Sequence, residues 1–168
     1  MTFALITTGG TIDKVYGTGL GVQDLHIGEP VTPEILRQMF GVFHFDHREA
    51  LRKDSLEITE ADRRLICEMA FWNRNEEERI LITHGTDTMI ETAKSLSEDA
   101  TLSQKRIVLV GASQPACMRD SDALARIGFA LGVLLTSRKP GVIIAMDGIH
   151  SDPYNCRKTE EGVFRSFS

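Results

Sequence analysis

The sequence predicts an α/β fold: a doubly wound three-layer sandwich around a mainly parallel sheet. Short apolar runs alternate with amphipathic stretches along the whole chain, which is the pattern of βαβ units joined by right-handed crossovers. The strand candidate Arg106 to Val110 is continuously apolar after its first residue, as a parallel strand buried on both faces must be. With 168 residues the chain suits one domain with a real core, and no internal repeat or low-complexity segment divides it.

The elements follow in order. Phe3 to Thr7 reads as a strand ending at Gly9-Gly10. Gly17 to Gly28 has four glycines and little periodicity, so a long mobile loop is expected there. Thr32-Pro33-Glu34 reads as an N-cap with proline at the first helical position, opening a short helix through Met39. Gly41 to Phe45 is a further strand candidate. Thr59 caps the next helix, with Asp62 three residues on and Leu65, Ile66, Met69 and Ala70 as its apolar stripe. Ile80 to Thr83 is a compact strand. Asp87 to Ser97 is helical, with Met89, Ala93 and Leu96 on one face. After the strand at Arg106 to Val110, Asp120 to Leu135 is a helix with Leu124, Ile127, Leu131 and Leu134 three or four apart. Val142 to Met146 is the last strong strand.

Composition narrows the partners. A net charge of −5 argues against nucleic acid, because neutralising phosphates requires surplus Lys and Arg. No apolar run is long enough to span a membrane, and the N-terminus lacks the basic region of a signal peptide. Cys67, Cys117 and Cys156 are odd in number, widely spaced and without a Cys-x-x-Cys pair. A disulfide framework and a tetrahedral zinc site are therefore not expected, and a reducing, cytoplasmic setting is.

In doubly wound sheets ligands bind beyond the carboxyl ends of the strands, near the switch in strand order. Three strand ends carry glycine with small hydroxyl residues: Thr7-Thr8-Gly9-Gly10-Thr11-Ile12, Thr83-His84-Gly85-Thr86-Asp87-Thr88 and Gly111-Ala112-Ser113-Gln114-Pro115. The glycine pair permits a tight turn whose N–H groups can receive an anion or oxyanion. A plain structural turn explains it equally well, whereas a nucleotide loop lacks its Gly-x-Gly-x-x-Gly or Gly-Lys-Ser/Thr signature. In the second string, one of Thr86 and Asp87 is expected to cap the following helix, leaving a surplus hydroxyl and carboxylate for the cleft. A hydroxyl acts as a nucleophile, or activates water, only beside a base. A lysine in a suitable environment is such a base, but spacing alone places none near Thr86. For His84 a satisfied, partly buried structural role is preferred over catalysis.

These residues resemble those of the bacterial-type L-asparaginase family. Thr8-Gly9-Gly10-Thr11-Ile12 and His84-Gly85-Thr86-Asp87-Thr88 carry the resemblance, and four further segments match in order. Asp54-Ser55-Leu56-Glu57-Ile58 is similar to the family's Asp-Ser-x-Asp-Met. Gly111-Ala112-Ser113-Gln114-Pro115 is similar to Gly-Ala-Met-Arg-Pro, Ser121-Asp122 to Ser-Asp-Gly, and Arg157-Lys158-Thr159 to Thr-Lys-Thr. The match spans nearly the whole chain.

The resemblance implies a flavodoxin-like domain over residues 1–168 and hydrolysis of the side-chain amide of L-asparagine without metal or organic cofactor. Thr11 is then the nucleophile, and Thr86, Lys158 and Asp87 form a second hydroxyl–base–carboxylate relay. Asp87 also binds the substrate's α-amino group, Ser55 its α-carboxylate, and the Thr86 N–H the oxyanion. Gly10 and Asp54 complete the substrate-binding set, and Tyr16 is the candidate for orienting Thr11. Two rivals remain: an amidase acting on another small amide, and a non-catalytic module that binds asparagine or aspartate.

Departures from the family carry expectations too. The second, smaller domain of family members is not expected in this chain, so a more open site, weaker affinity for asparagine and little glutaminase activity are predicted. The missing cover predicts self-association as a homodimer or tetramer, through helix faces near Leu131 and Leu134 or through the final strand. Asp13 stands where a small residue is common and is expected to alter the loop after it. Leu56 replaces a residue that is often polar, which is expected to loosen amino-acid selectivity. Nothing in the sequence explains Ser113-Gln114 in place of Met-Arg.

Overall fold

The computed structural model describes residues 2–17, 24–39, 44–72 and 78–167. In chain order the elements are β1 (Thr2–Gly9), a 3-10 turn at Thr11–Asp13, β2 (Lys14–Tyr16), β3 (Leu25–Ile27), α1 (Thr32–Met39) and β4 (His44–Lys53). A 3-10 turn at Ser55–Glu57 leads to α2 (Glu60–Phe71), β5 (Arg79–Thr83) and α3 (Met89–Glu98). A 3-10 turn at Ala100–Leu102 leads to β6 (Arg106–Val110), α4 (Ala123–Thr136), β7 (Gly141–Met146), β8 (Ile149–Ser151), β9 (Cys156–Lys158) and β10 (Phe164–Ser166).

Six strands form one sheet in the order β4-β1-β5-β6-β7-β8. The first four neighbouring pairs are parallel, and β8 turns back antiparallel on the edge. The five parallel strands therefore follow the flavodoxin-like order, with β1 beside both the second and the third of them. That makes the carboxyl ends of β1 and β5, where Thr7 lies opposite Thr83, the topological switch point. The inner strands are buried on both faces: Phe3, Leu5, Ile6, Ile80, Leu81, Ile82, Leu109 and Val110 are all at most 1% exposed.

Helices cover both faces, but not as four right-handed crossovers would arrange them. The step from β1 to β4 runs one way across the sheet and the other three helical crossovers run the opposite way. Uniform handedness would isolate α1 on its own face. Instead α4 packs on α1, with the Met39 side chain against Gly128, while α2 and α3 contact each other. The β6–α4–β7 crossover thus has the opposite hand to the rest, against the expectation of the alternating pattern. Its connecting segment crosses the mouth of the sheet, where the Ala116 N–H donates to the Ile12 carbonyl at 3.1 Å and the Cys117 thiol meets the Lys14 carbonyl at 3.3 Å. That detour walls one side of the switch point.

Several local expectations are corrected. The strand expected at Gly41 to Phe45 is β4, which starts at His44 and runs ten residues; residues 41–43 lie outside the described residues. It hid because an edge strand carries charge. Its Arg48, Arg52 and Lys53 pair with Asp46, with Glu29 and Glu49, and with Asp62. Within Gly17 to Gly28, expected as a mobile loop, Leu25–Ile27 is a strand paired with β2; residues 18–23 lie outside the described residues.

Thr32 does not cap α1. The Val31 carbonyl takes the first helical bonds, and Thr32 is a buried first-turn residue. The cap at Thr59 is present as a full capping box with Asp62, but Leu65 is 39% exposed, and Ile66, Cys67 and Ala70 make the buried face of α2. On α4 the buried face is Ala123, Ile127, Ala130, Leu131 and Leu134, whereas Leu124 is 54% exposed. Leu131 and Leu134 are therefore core residues and offer no surface for self-association. The final strong strand, β7, is likewise flanked by β6 and β8.

Candidate active site

The chain turns at the end of β1 through two glycines with positive φ, 90° at Gly9 and 87° at Gly10. Neither position tolerates a side chain. A Cβ on Gly9 would lie 2.7 Å from the Lys53 backbone, and one on Gly10 would lie 2.5 Å from both Cα and N of Gly85. A Cβ on Gly85 would in turn lie 2.6 Å from the Ser55 Cβ. Three segments thus pack tightly together at the switch point: the Thr8–Thr11 turn, the His84–Thr88 turn and the Asp54–Glu57 turn. Thr11 and Thr86 each follow the touching glycine by one residue, which brings two hydroxyl residues from separate strand ends to one mouth.

Lys158 enters this mouth from β9. Its Nζ donates to the Thr86 Oγ1 at 2.9 Å and to the Asp87 Oδ1 at 2.6 Å. The lysine side chain is 23% exposed and the Asp87 side chain 48%, so the pair is only partly shielded from solvent. Ser55 is buried; its Oγ accepts from the Asp87 N–H at 3.2 Å and its carbonyl accepts from the Thr88 hydroxyl at 2.6 Å. These bonds revise the expected capping role. Neither Thr86 nor Asp87 caps α3; Thr88 holds the N-cap position without a side-chain cap bond. The Thr86 and Asp87 side chains are instead committed to Lys158.

The remaining site candidates are placed as follows. Asp54 caps its own 3-10 turn through the Leu56 N–H at 3.2 Å and pairs with Lys14 at 2.9 Å. The Lys14 ammonium, with the Leu56 N–H, holds its carboxyl below the usual range. Tyr16 sits on β2 opposite Leu25 and is 55% exposed. His84 is fully buried. Its Nδ1–H donates to the Gly85 carbonyl at 2.7 Å, so Nε2 accepts from the Thr92 hydroxyl at 2.9 Å. Desolvation pulls the imidazole down to about 4, which keeps it neutral and structural, as expected.

Asp13, two residues past Thr11, is also buried. Its Oδ1 accepts from the Val31 N–H at 2.9 Å at the start of α1, and its carbonyl accepts from the Gly28 N–H at 2.8 Å. Desolvation raises this carboxyl to about 7, only partly offset by the Val31 bond. Asp13 thus anchors the base of the β2–β3 hairpin to α1.

Sequence reading missed a polar cluster beside the site. Arg126 on α4 contacts Asp122 at 2.5 Å, Asp147 at 2.6 Å and the Ser113 hydroxyl at 2.9 Å, while Asp122 receives the Ser113 and Gln114 N–H groups. The Asp147-Gly148 dipeptide after β7 was the available signal, because Asp-Gly marks a tight hairpin turn.

The chain is similar to known proteins in sequence and fold. Residues 2–168 match the asparaginase N-terminal domain family. Over 90 residues, 52% of this chain and 25% of the other, the sequence is 36% identical to a probable periplasmic L-asparaginase of Haemophilus influenzae. Among solved structures, the probable cytoplasmic L-asparaginase from Campylobacter jejuni superposes with a TM-score of 0.78 at 25% identity, over 98% of this chain and 52% of that one. L-asparaginase I from Vibrio cholerae gives 0.79 at 25% identity, over 98% and 51%. The thermostable L-asparaginase from Thermococcus kodakarensis gives 0.79 at 24% identity, over 99% and 51%, a likeness of fold. The chain spans about half the length of these solved structures.

Proposed function

We infer, from the premise that this chain belongs to the asparaginase family, that it is an L-asparagine amidohydrolase working through a threonyl acyl-enzyme. The observation that carries the reading is the contact of Lys158 Nζ with both the Thr86 hydroxyl and the Asp87 carboxylate. There a lysine joins a hydroxyl to a carboxylate, a chain in which the amine can take the hydroxyl's proton once it has passed its own to Asp87.

In this reading the Thr11 hydroxyl attacks the side-chain amide carbon, and its proton passes toward the departing nitrogen. The carbonyl oxygen becomes an oxyanion stabilised by the Thr86 N–H, a preorganised donor of the kind worth several kcal/mol in acyl transfer. Collapse breaks the C–N bond and releases ammonia, leaving an ester on Thr11. Water gives up a proton to the Thr86–Lys158–Asp87 relay and attacks the ester; the bond to the Thr11 oxygen breaks, that oxygen takes the proton back, and aspartate is freed. Asp87 pairs with the substrate's α-ammonium, and Ser55 binds its α-carboxylate. Gly10 supplies backbone close to the reacting carbonyl, Asp54 holds the Ser55 turn through its bond to the Leu56 N–H, and Tyr16 orients Thr11 from the β2–β3 hairpin.

Leu56, 73% exposed beside Ser55, favours a second reading in which the same chemistry acts on another small amide. Ammonia release from L-asparagine, L-glutamine and D-asparagine, assayed in parallel, tests both. Preference for L-asparagine supports the first, and preference for either other amide the second. A cytoplasmic setting is supported by three free thiols, and among the described residues no helix is long and apolar enough to cross a membrane. Self-association as a homodimer or tetramer belongs to the same reading. It is supported by the exposure of Tyr16 and Leu56 around the site, and sedimentation at several concentrations tests it.

A further inference from the structure

Lys158 reaches Thr86 and Asp87 from an element that is not part of the six-stranded sheet. It ends β9, a three-residue strand paired with β10 in a separate two-stranded ladder. A long flexible side chain on so short a hairpin holds its ammonium in place only if the hairpin itself is fixed to the sheet. The fixing point is directly opposite. Phe164 is the ladder partner of Lys158, its ring is fully buried, and its N–H points out of the ladder to the Asp147 Oδ2 at 2.7 Å. The other oxygen of the same carboxylate, Oδ1, accepts from Arg126 at 2.6 Å.

Asp147 is an unusual residue for this task on backbone grounds. It lies at φ 51°, the one non-glycine residue with positive φ among the described residues. Gly148 follows at φ 78°, so the pair makes the tight turn between β7 and β8. Glycine or asparagine would serve that turn at least as well. What singles out aspartate is that both carboxylate oxygens are engaged at once, one by a helix and one by the hairpin. Arg126 extends the link. Its contacts to Asp122 and Ser113 tie the same cluster to the turn that follows β6.

We propose that Asp147 is a positioning residue for Lys158: by accepting the Phe164 N–H while held by Arg126, it sets the height of the β9–β10 hairpin and so the placement of the lysine ammonium on Thr86 and Asp87. The proposal rests on the reading of Lys158 as the relay base. A displacement of about 1 Å in such a group costs on the order of a hundredfold in rate without loosening substrate binding in proportion.

The test compares the wild type with Asp147→Asn and Asp147→Gly. Both replacements accept the positive φ, and thermal unfolding confirms that each is folded at the assay temperature. Asparagine keeps an oxygen for the Phe164 N–H; glycine keeps nothing. Two quantities are read: kcat and KM for ammonia release, and the side-chain NMR signal of Lys158 in lysine-labelled protein, assigned by its loss in Lys158→Arg. In Asp147→Gly the Lys158 signal shifts and kcat falls about tenfold or more, with KM within about twofold. In Asp147→Asn, which keeps the Phe164 bond but loses the Arg126 ion pair, both effects are clearly smaller than in Asp147→Gly. An unmoved Lys158 signal and unchanged kcat in Asp147→Gly overturn the proposal, and so does equal damage in the two variants. If the wild type releases no ammonia from any amide, the amidohydrolase reading falls, and the Lys158 signal alone still decides whether Asp147 places the lysine.

Discussion

Lys158 donates a 2.9 Å hydrogen bond to the Thr86 hydroxyl across 72 residues of sequence. Spacing cannot foretell such a contact. It arises because β5 delivers Thr86 to the switch point while a hairpin outside the sheet delivers the lysine. Replacing Lys158 by methionine removes the proton carrier but keeps the aliphatic stem. The expected result is a fall in kcat of about 10²- to 10⁴-fold, with aspartate binding by calorimetry changed only severalfold. A variant that keeps more than half of its activity would remove Lys158 from the relay.

The glycine stack makes a second prediction. In Gly10→Ala the new methyl would lie 2.5 Å from the Gly85 backbone, at a φ of 87° that L-residues avoid. Overpacking and backbone strain together are expected to cost about 2–4 kcal/mol in urea unfolding, and activity should be lost below the melting transition as well. In Gly85→Ala the clash is with the Ser55 side chain at 2.6 Å, so the site is disturbed at normal backbone angles. A Gly10→Ala protein as stable and active as wild type would contradict the packing described here.

Much of the fold was legible in the sequence because its signals are local. The apolar runs of β5, β6 and β7 and the Thr59–Asp62 capping box announce themselves within a few residues. β4 was blurred because its side chains are charged and half-exposed. The reversed crossover of α4 was illegible, since handedness depends on where the segment between Gly111 and Asp122 travels, and periodicity does not encode that. At the site, the hydroxyl and glycine strings were visible as motifs. The commitment of Thr86 and Asp87 to Lys158, in place of helix capping, needed the three-dimensional neighbours.

Asp13 and His84 predict opposing pH dependences. Asp13 has its carboxyl raised from 3.8 to about 7 by burial, so the folded state binds its proton more tightly than the unfolded state does. Its contribution to stability is full below pH 4 and is lost as pH rises to about 7. His84 is lowered from 6.5 to about 4, so its contribution is full above 6.5 and is lost as pH falls toward 4. Between pH 4 and 6.5 the two slopes offset one another. Asp13→Asn keeps an oxygen for the Val31 N–H and removes one slope. Relative to wild type, its stability should gain steadily from pH 4 to 7, by up to about 4 kcal/mol, and then level off. A difference between the two proteins that is flat with pH would show that Asp13 is charged in the folded state.

The capping box of α2 gives a structural control at residues outside the Lys158 contacts. Thr59 and Asp62 exchange hydrogen bonds at 3.3 Å and 2.8 Å, and Lys53 pairs with the same carboxylate at 2.9 Å. Thr59→Ala is expected to lower unfolding stability by about 1 kcal/mol and to leave kcat unchanged. A loss of turnover in the folded variant would mean that α2 sets the site geometry more directly than its position implies.

The central claim is that a threonine at the end of β1 does the covalent work. The most direct test is ammonia release from L-asparagine by the purified chain and by Thr11→Ala, with aspartate binding measured on both. The account predicts steady turnover in the wild type, none above background in Thr11→Ala, and similar binding in the two. Equal ammonia release from both proteins would contradict it.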